Sequence, residues 1–409
     1  MKLLALLAAT STALAAPHFF PAPQPTSKPA EIQTAPAPKR KTEDLSSLLE
    51  PIIAKHDVPG MVAGIVVGDR LVAAGRAGVR KRGTTDKIKI GDQFHIGSCT
   101  KAMTATLCAI LVEKGTLRWD MTLAEAFPKL APKMHEAFKS VTLEQLLTNR
   151  AGVPSNLDGG GLWGKLWLAK GGPVAARKLL FESIVTQEPL YPPGTRDVYS
   201  NAGFAIAGHM AETLAGKPYE TLMQEHLFAP LGMTRCGWGA PGKPGKVLQP
   251  WGHNKAGEPQ NPLPNTPDGK GADNPPAITP AGRLHCTLGD WSKFVSLHLR
   301  GDANNPQRDC KLVSGASFDK LHTPPDALSD YAFGWGRPVR PWARGEGEGA
   351  TGHVLTHSGS NTIWFAVTWV APERDFAVLV MCNQAERGSK ACDEAAWALI
   401  QHHLKAADR

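Results

Sequence analysis

The sequence predicts an α/β (α+β) protein: an antiparallel sheet from N- and C-terminal segments, flanked by helices, with an inserted mostly helical domain. Strand-like apolar runs occur near the beginning, at residues 61–67 and 71–75, and near the end, at 363–370 and 376–381. Helix-forming segments and loops fill the middle of the chain. Amphipathic helices lie outside the strands at both ends, where they would cover the sheet.

The composition is that of a globular protein without a nucleic-acid partner. Of 409 residues, 42% are hydrophobic and 20% are charged, which excludes a wholly disordered chain. Half of the net charge of +8 lies within the first 41 residues, and no long basic run follows.

The N-terminus is typical of an exported protein. Lys2 precedes an apolar run over residues 3–14, and Ala13-Leu14-Ala15 matches the pattern that signal peptidases cleave. We expect residues 1–15 to be a signal peptide, and the alternative is a buried N-terminal helix. Residues 16–41 contain many prolines and are expected to form an extended linker. The mature protein is therefore expected to be secreted or periplasmic, without an integral membrane span.

Folded sequence is expected over residues 42–409. Thr42-Glu43-Asp44-Leu45 followed by apolar residues at helical spacing predicts a capped helix. Gly68-Asp69-Arg70 lies between the two N-terminal strands and predicts a hairpin. Phe94-His95-Ile96 then leads into a predicted helix over 98–114.

The later elements complete the prediction. Short helices are expected at 143–147 and 202–215, and the Gly- and Pro-rich segment 239–280 is expected to be a long surface excursion. Further helices are expected from Leu288 and over 391–404.

These elements divide the folded part into an α/β portion, about 42–103 and 281–409, and a helical insertion, about 104–280. A cleft between the two would be the natural place for a site.

The cysteines and histidines indicate no metal site. The seven cysteines include no C-x-x-C, and no H-E-x-x-H occurs. Cys382 with Cys392, or Cys286 with Cys310, could form a disulfide in an oxidising compartment, and the sequence does not decide between them.

Ser98-Cys99-Thr100-Lys101 is the first candidate for catalysis. A spacing of three on a helix places Ser98 and Lys101 on one face, at an N-terminus that can stabilise an oxyanion. A second copy, Ser317 and Lys320, shows that chance supplies such a pair, and a solvated helix turn is the alternative for either.

Context favours the first copy. Ser98 follows a strand and opens an apolar helix, where burial would lower the pKa of Lys101 so that it can accept the serine proton. Ser317 has no such context.

Two further elements could complete a site. In Tyr199-Ser200-Asn201 the tyrosine could act as a base or proton shuttle, or simply pack under a loop. His357-Ser358-Gly359-Ser360 follows a strand-like segment, where small residues would let a substrate backbone lie along the strand edge. The alternative is a strand bend.

Together these motifs resemble the serine β-lactamase and penicillin-binding-protein superfamily. The resemblance is nearest to the branch with class C β-lactamases, D-alanyl-D-alanine carboxypeptidases, D-aminopeptidases and family VIII carboxylesterases (peptidase family S12). Ser98 to Lys101 matches S-x-x-K, Tyr199 to Asn201 matches Y-x-N, and His357 to Gly359 matches the H-x-G form of K-T-G. Residues 146–154 and 191–194 add support.

Two positions depart from the family pattern. His357 replaces the lysine usual in β-lactamases, which favours peptidase or esterase relatives. Asn149-Arg150 replaces a more usual His-Thr pair at the cleft rim.

The resemblance implies a serine hydrolase that needs no cofactor and acts on an amide or ester carbonyl. Ser98 would attack, Lys101 and Tyr199 would relay the proton, and Asn201 would position the substrate. His357 would favour an anionic or polar substrate group, beside Gly359. The N–H groups of Ser98 and Ser360 would form the oxyanion hole.

Other functions compete with this interpretation. One is a non-catalytic or slowly turning over ligand sensor of the penicillin-binding type on the same fold. The other is an extracellular interaction protein that uses the Pro-rich segment. The sequence leaves the substrate and the oligomeric state open.

Overall fold

The structure, a computed structural model, describes residues 42–155, 157, 159–263 and 272–407. The predicted signal peptide and linker lie outside the described residues. Within the described part of the chain, no helix is long and apolar enough to cross a membrane.

Strands occur early, late and in short pieces between. The strands are β1 (Glu43–Asp44), β2 (Gly60–Val67), β3 (Arg70–Gly78), β4 (Gln93–His95), β5 (Gly237–Trp238), β6 (Gly252–His253), β7 (Pro259–Gln260), β8 (Leu284–Thr287), β9 (Tyr331–Ala332), β10 (Trp335–Gly336), β11 (Leu355–Ser360), β12 (Phe365–Ala371) and β13 (Phe376–Cys382).

Helices occupy both ends and most of the middle. They are α1 (Ser46–His56), α2 (Thr100–Glu113), α3 (Leu123–Ala126), α4 (Glu136–Lys139), α5 (Leu143–Leu147), α6 (Leu162–Trp167), α7 (Gly172–Val185), α8 (Asn201–Ala215), α9 (Tyr219–Met223), α10 (Thr279–Gly282), α11 (Leu288–Gly301), α12 (Gly315–His322) and α13 (Gly388–Ala407).

The main sheet joins the two ends of the chain. Its strand order is β1-β3-β2-β13-β12-β11-β10-β9. The central pair is antiparallel, with Gly64 of β2 opposite Leu379 of β13. This arrangement confirms the predicted fold class, a sheet of N- and C-terminal strands flanked by helices.

The sheet is covered on both faces, so it divides two apolar cores. Because side chains alternate along a strand, Val378 and Val380 of β13 face α1 and α13, where they pack with Leu399. Leu379 and Met381 face the other way and share a core with the helices of the middle region. The limits of the helical insertion stay a prediction.

The first helix follows directly after the segment that the sequence predicts as its cap. Asp44 Oδ1 accepts hydrogen bonds from the backbone N–H of Ser46, at 2.9 Å, and from its hydroxyl, at 2.6 Å. Helix α1 therefore begins at Ser46, and Asp44 is the residue of the predicted capping segment 42–45 that binds its first turn, while Glu43 and Asp44 also pair with β3.

The segment 239–280 is not wholly a surface excursion. Trp251 is 6% exposed and His253 is fully buried, with Nδ1 donating to the Asn383 carbonyl at 2.8 Å. Its Nε2 accepts from the Arg82 N–H at 3.0 Å. The Gly and Pro content predicted turns correctly, but the turns carry these two side chains into the core.

The cysteines are all thiols in the structure. Cys382 contacts Cys392, which is one of the predicted pairs. Cys286 contacts Cys236, which lies opposite it where β5 meets β8, whereas Cys310 is exposed. The alternative of a Cys286–Cys310 pair is therefore wrong.

Candidate active site

Ser98 lies in a tight turn between β4 and α2. Residues Gly97–Cys99 form a 3₁₀ turn, and Gly97 has a positive φ of 50°. A Cβ at Gly97 would lie 2.2 Å from the backbone nitrogen of Ser360, and a Cβ at Gly359 would lie 2.6 Å from that of Ser98. The two glycines let the serine turn and the end of β11 touch through their backbones.

A buried histidine holds this turn from behind. His95 Nδ1 accepts the Gly97 N–H at 3.1 Å, and its Nε2 lies 2.9 Å from Oδ1 of Asp273. Arg283 donates to the other oxygen of Asp273 at 2.8 Å. Although burial opposes it, these neighbours hold the pKa of Asp273 well below its ordinary value. From the sequence, His95 could be placed only within a strand-like segment, and no motif identifies Asp273.

Lys101 lies one helical turn after Ser98 and is fully buried. Its Nζ is 3.0 Å from Ser98 Oγ, 2.8 Å from Asn201 Oδ1 and 2.7 Å from the Ala281 carbonyl oxygen. Burial lowers the pKa of Lys101 well below its ordinary value. Among the described residues no carboxylate forms an ion pair with it, so no ion pair offsets this loss of solvation.

These contacts orient the lysine as a base. A neutral amine has two N–H donors and one lone pair. The Asn201 amide oxygen and the Ala281 carbonyl can only accept, so they take the two N–H groups. The lone pair is then directed at the hydroxyl of Ser98.

The Ala281 carbonyl is held in place by α2 itself. Thr104, one turn beyond Lys101, donates to the Pro280 carbonyl at 2.6 Å and contacts the Tyr219 hydroxyl at 2.7 Å. The Ala281 carbonyl could not be predicted as a partner of Lys101, because any residue supplies a backbone carbonyl and no side-chain pattern identifies it.

Tyr199 and Asn201 flank Ser200, which is the N-cap residue of α8. Ser200 caps this helix, its Oγ accepting from the N–H groups of Ala202 at 3.1 Å and Gly203 at 3.4 Å. Burial raises the pKa of Tyr199 above its ordinary value, and the neighbouring Ser98 side chain lowers it in part. The residue as a whole is 43% exposed, and the centroid of its ring lies 4.7 Å from Lys101 Nζ.

Asn149 and Arg150, which depart from the family pattern, hold the segment that carries Tyr199. Asn149 has a φ of 61°, a conformation that asparagine tolerates well, and its side-chain oxygen accepts from the Ser200 N–H at 3.1 Å. Arg150 donates to the Gly194 carbonyl at 2.8 Å and lies 3.1 Å from Asp197.

His357 faces this group from β11. Its Nδ1 lies 2.5 Å from the Ser358 carbonyl oxygen, and its Nε2 lies 3.3 Å from the Tyr331 hydroxyl. The ring centroids of His357 and Tyr199 are 6.3 Å apart. Burial, and then the proximity of Lys101, lowers the pKa of His357 to about 4. Tyr331 could not be predicted as a neighbour of His357, because it is a single tyrosine before a Gly-rich segment and stands in no motif.

Beside His357, no strand of the described chain pairs with the edge of β11 that faces away from β12. Strand β10 pairs with β11 only at Gly336 and Thr356, and β12 pairs with it along its whole length on the other side. Residues 357–360 therefore border the group formed by Ser98, Lys101 and Tyr199. In the described ranges, no cluster of His, Cys, Asp and Glu could hold a metal ion.

The fold and a serine beside a buried lysine define the class of serine hydrolases. Comparison with known families gives the particular family: the model of the Beta-lactamase family matches residues 45–402, and the chain belongs to it. This family acts on amide and ester substrates.

Several proteins are similar to the chain. Penicillin-binding protein 4 of Amycolatopsis lactamdurans is 28% identical over 80% of this chain and 82% of its own length. The unguisins hydrolase ungD' of Aspergillus campestris is 24% identical over 89% of this chain and 66% of its own length. The octameric penicillin-binding protein homologue from Pyrococcus abyssi has the same fold, with a TM-score of 0.66 at 23% identity over 87% of this chain and 76% of that one.

Proposed function

We propose that the protein hydrolyses an amide or ester bond through an acyl-enzyme formed on Ser98. The observation that carries the proposal is the surroundings of Lys101 Nζ, whose two fixed acceptors direct its lone pair at Ser98 Oγ. As the serine oxygen attacks the substrate carbonyl, Lys101 takes its proton.

Tyr199 and Asn201 support the later steps. Tyr199 contacts both Ser98 and Lys101, so it can pass the proton to the leaving group. The Asn201 side-chain oxygen is used by Lys101. Its amide nitrogen therefore remains to donate to a substrate carbonyl.

The oxyanion would bind to backbone N–H groups of Ser98 and Ser360. The close approach at Gly97 and Gly359 supports this assignment, because it brings the backbone of residues 97–98 against that of residues 359–360. Water then hydrolyses the acyl-enzyme. We assign no metal or organic cofactor to the reaction, and we propose an extracytoplasmic location from the N-terminal sequence.

The test compares two substrates on the full chain: a chromogenic cephalosporin and a short-chain nitrophenyl ester. Hydrolysis of either, lost in Ser98→Ala, supports the proposal, and the ratio separates lactamase from esterase activity. An acyl-enzyme that forms on Ser98 without turnover would favour a ligand sensor. Activity that survives Ser98→Ala would overturn the assignment.

A further inference from the structure

Asp273 is a buried carboxylate that three nitrogen donors face. It is 7% exposed. Its Oδ1 lies 2.9 Å from Nε2 of His95 and accepts a hydrogen bond from Nδ2 of Asn361 at 3.1 Å, while its Oδ2 accepts from Nε of Arg283 at 2.8 Å. Because Nδ1 of His95 accepts the Gly97 N–H, the ring proton lies on Nε2 and faces this carboxylate.

Two of these donors connect the carboxylate to the two backbone segments that would bind the oxyanion. His95 binds the N–H of Gly97, which is the residue before Ser98. Asn361 is the residue directly after Ser360, at the end of β11. One carboxylate therefore contacts both the arm that holds the serine turn and the arm that holds the end of the strand.

The Asn361 side chain is also fixed on its other side. Its Oδ1 accepts the backbone N–H groups of Ile363 at 3.3 Å and Trp364 at 3.1 Å, in the turn between β11 and β12. The ring of Trp364 stacks on that of His95, with the centroids 5.8 Å apart. The two arms therefore pack against each other, and in a close-packed interior neither can shift without displacing the other.

We propose that Asp273 is a positioning residue that sets the spacing of the Ser98 and Ser360 N–H groups and so the binding of the oxyanion. The inference rests on the proposed function and goes beyond it, because Asp273 acts through His95 and Asn361 rather than on the substrate. An oxyanion hole stabilises the transition state only while its donors stay where the negative charge develops. A carboxylate accepts from all three of its donors at once, whereas a neutral amide has a single oxygen.

The test compares an oxygen ester with its sulfur analogue on the full chain: para-nitrophenyl acetate and para-nitrophenyl thionoacetate, which has C=S in place of C=O. Both release nitrophenolate when Ser98 is acylated, so one absorbance signal measures both. Sulfur accepts hydrogen bonds weakly, so the thionoester gains little from an oxyanion hole. Asp273→Asn should lower kcat/KM for the oxygen ester about 10²-fold, and the ratio of ester to thionoester kcat/KM should fall about tenfold or more.

Asp302→Asn is the matched control. Asp302 is also buried, at 2% exposed, and its Oδ2 lies 2.8 Å from Nδ1 of His322, but this pair joins the end of α11 to α12. Both variants remove a buried carboxylate from a histidine, so we expect similar losses of unfolding temperature. Asp302→Asn should keep the wild-type substrate ratio, which separates positioning from a general loss of stability.

A double variant tests the arrangement of donors around Asp273. In Asp273→Asn the amide oxygen can face His95 and Asn361, but the NH₂ group then faces Nε of Arg283, which is also a donor. Glutamine places its Oε1 where the Nε of arginine lies, since both atoms are bonded to Cδ. Asp273→Asn combined with Arg283→Gln should therefore restore the substrate ratio to within about threefold of wild type.

Asn361→Ala keeps the experiment decisive if Asp273→Asn does not fold. It removes only the arm to β11 and should lower the substrate ratio about threefold or more, since Asp273 keeps Arg283 as a partner. An unchanged ratio in the folded variants, or an equal fall in Asp302→Asn, would overturn the inference alone. A wild-type chain in which neither substrate acylates Ser98 would refute the proposed function, and the inference with it.

Discussion

The chain contains two Ser-x-x-Lys pairs on helices, and their surroundings differ completely. Lys101 is buried among two carbonyl-type oxygens and the hydroxyl of Ser98. In the second pair, the Ser317 hydroxyl donates to Glu113 at 2.5 Å, and Lys320 forms an ion pair with Glu144 at 2.7 Å.

The difference shows what the motif needs in order to be reactive. In the second pair, the serine hydroxyl and the lysine ammonium each bind a different carboxylate, and the carboxylate beside Lys320 favours its charged form. Lys101 has acceptors that carry no charge, so burial is free to lower its pKa. The spacing of three residues places a serine beside a lysine, but the groups that bind the lysine decide its protonation state.

The largest effect is expected from the Lys101→Ala substitution, compared with the same substitution at Lys320. Lys101→Ala should lower the rate of Ser98 labelling by a fluorophosphonate about 10²-fold or more, the scale of general-base loss. Lys320→Ala, the matched control, should label at the wild-type rate. Equal loss in both variants, measured by mass spectrometry of the labelled peptide, would contradict the distinction.

A second contrast concerns the glycines that open the two serine turns. Gly97→Ala would bring a Cβ to 2.2 Å from the Ser360 backbone nitrogen, so the turn must shift. We expect activity to fall on the order of 10²-fold, as for a misplaced reacting group. At Gly315 the nearest atom to a new Cβ is the flexible Arg308 Nη2 at 3.2 Å. The Gly315→Ala variant should therefore keep wild-type activity. A comparable loss in that variant would show that the contact of Gly97 with the Ser360 backbone does not explain the effect.

The pH dependence sharpens the comparison further. The base form of Lys101 exists above a pKa that lies well below the ordinary value, so labelling should rise with pH and level off before a normal lysine would titrate. The apparent pKa belongs to the coupled Lys101 and Tyr199 pair. Tyr199→Phe should slow turnover about tenfold or more, and Lys101→Ala should give a flat profile. A wild-type rate that falls as the pH rises would reverse this assignment.

The smallest effect is expected at the second serine. Ser317→Ala should leave activity within about twofold, because Ser317 and its Glu113 partner do not contact the Ser98 group. It removes one hydrogen bond to a partly exposed carboxylate, so denaturant titration should show a loss of about 1 kcal/mol. A loss of labelling at Ser98 would mean that the wrong serine was chosen.

Most of the main sheet could be predicted from sequence because its strands are continuous apolar runs. Residues 61–67 lie within β2, and α5 has the predicted bounds, 143–147. The strand-like segment 94–96 overlaps β4, but the short strands β5 and β8 could not be predicted, since segments of two to four residues show no periodicity. Their pairing depends on contacts between distant parts of the chain.

The candidate site divides in the same way. Ser98, Lys101, Tyr199, Asn201 and His357 were identified because each stands in a local motif. Ala281 and Tyr331 were not, because one acts through a carbonyl and the other is a lone side chain. Ala281 lies 180 positions from Lys101, and Tyr331 lies 26 positions from His357, so each pair comes into contact only in the folded chain.

The pairing of β2 with β13 has a consequence for biosynthesis. More than 300 residues separate Val67 from Phe376, its partner in the sheet. At about 5–20 residues per second, a ribosome needs roughly 15–60 s to make the missing strand. During that time β2, whose residues are almost all buried in the finished fold, has β3 on one side and an open edge on the other. The growing chain therefore exposes an apolar strand edge during this time. Variants whose synthesis between the two strands is slower should aggregate more, although every catalytic residue is unchanged.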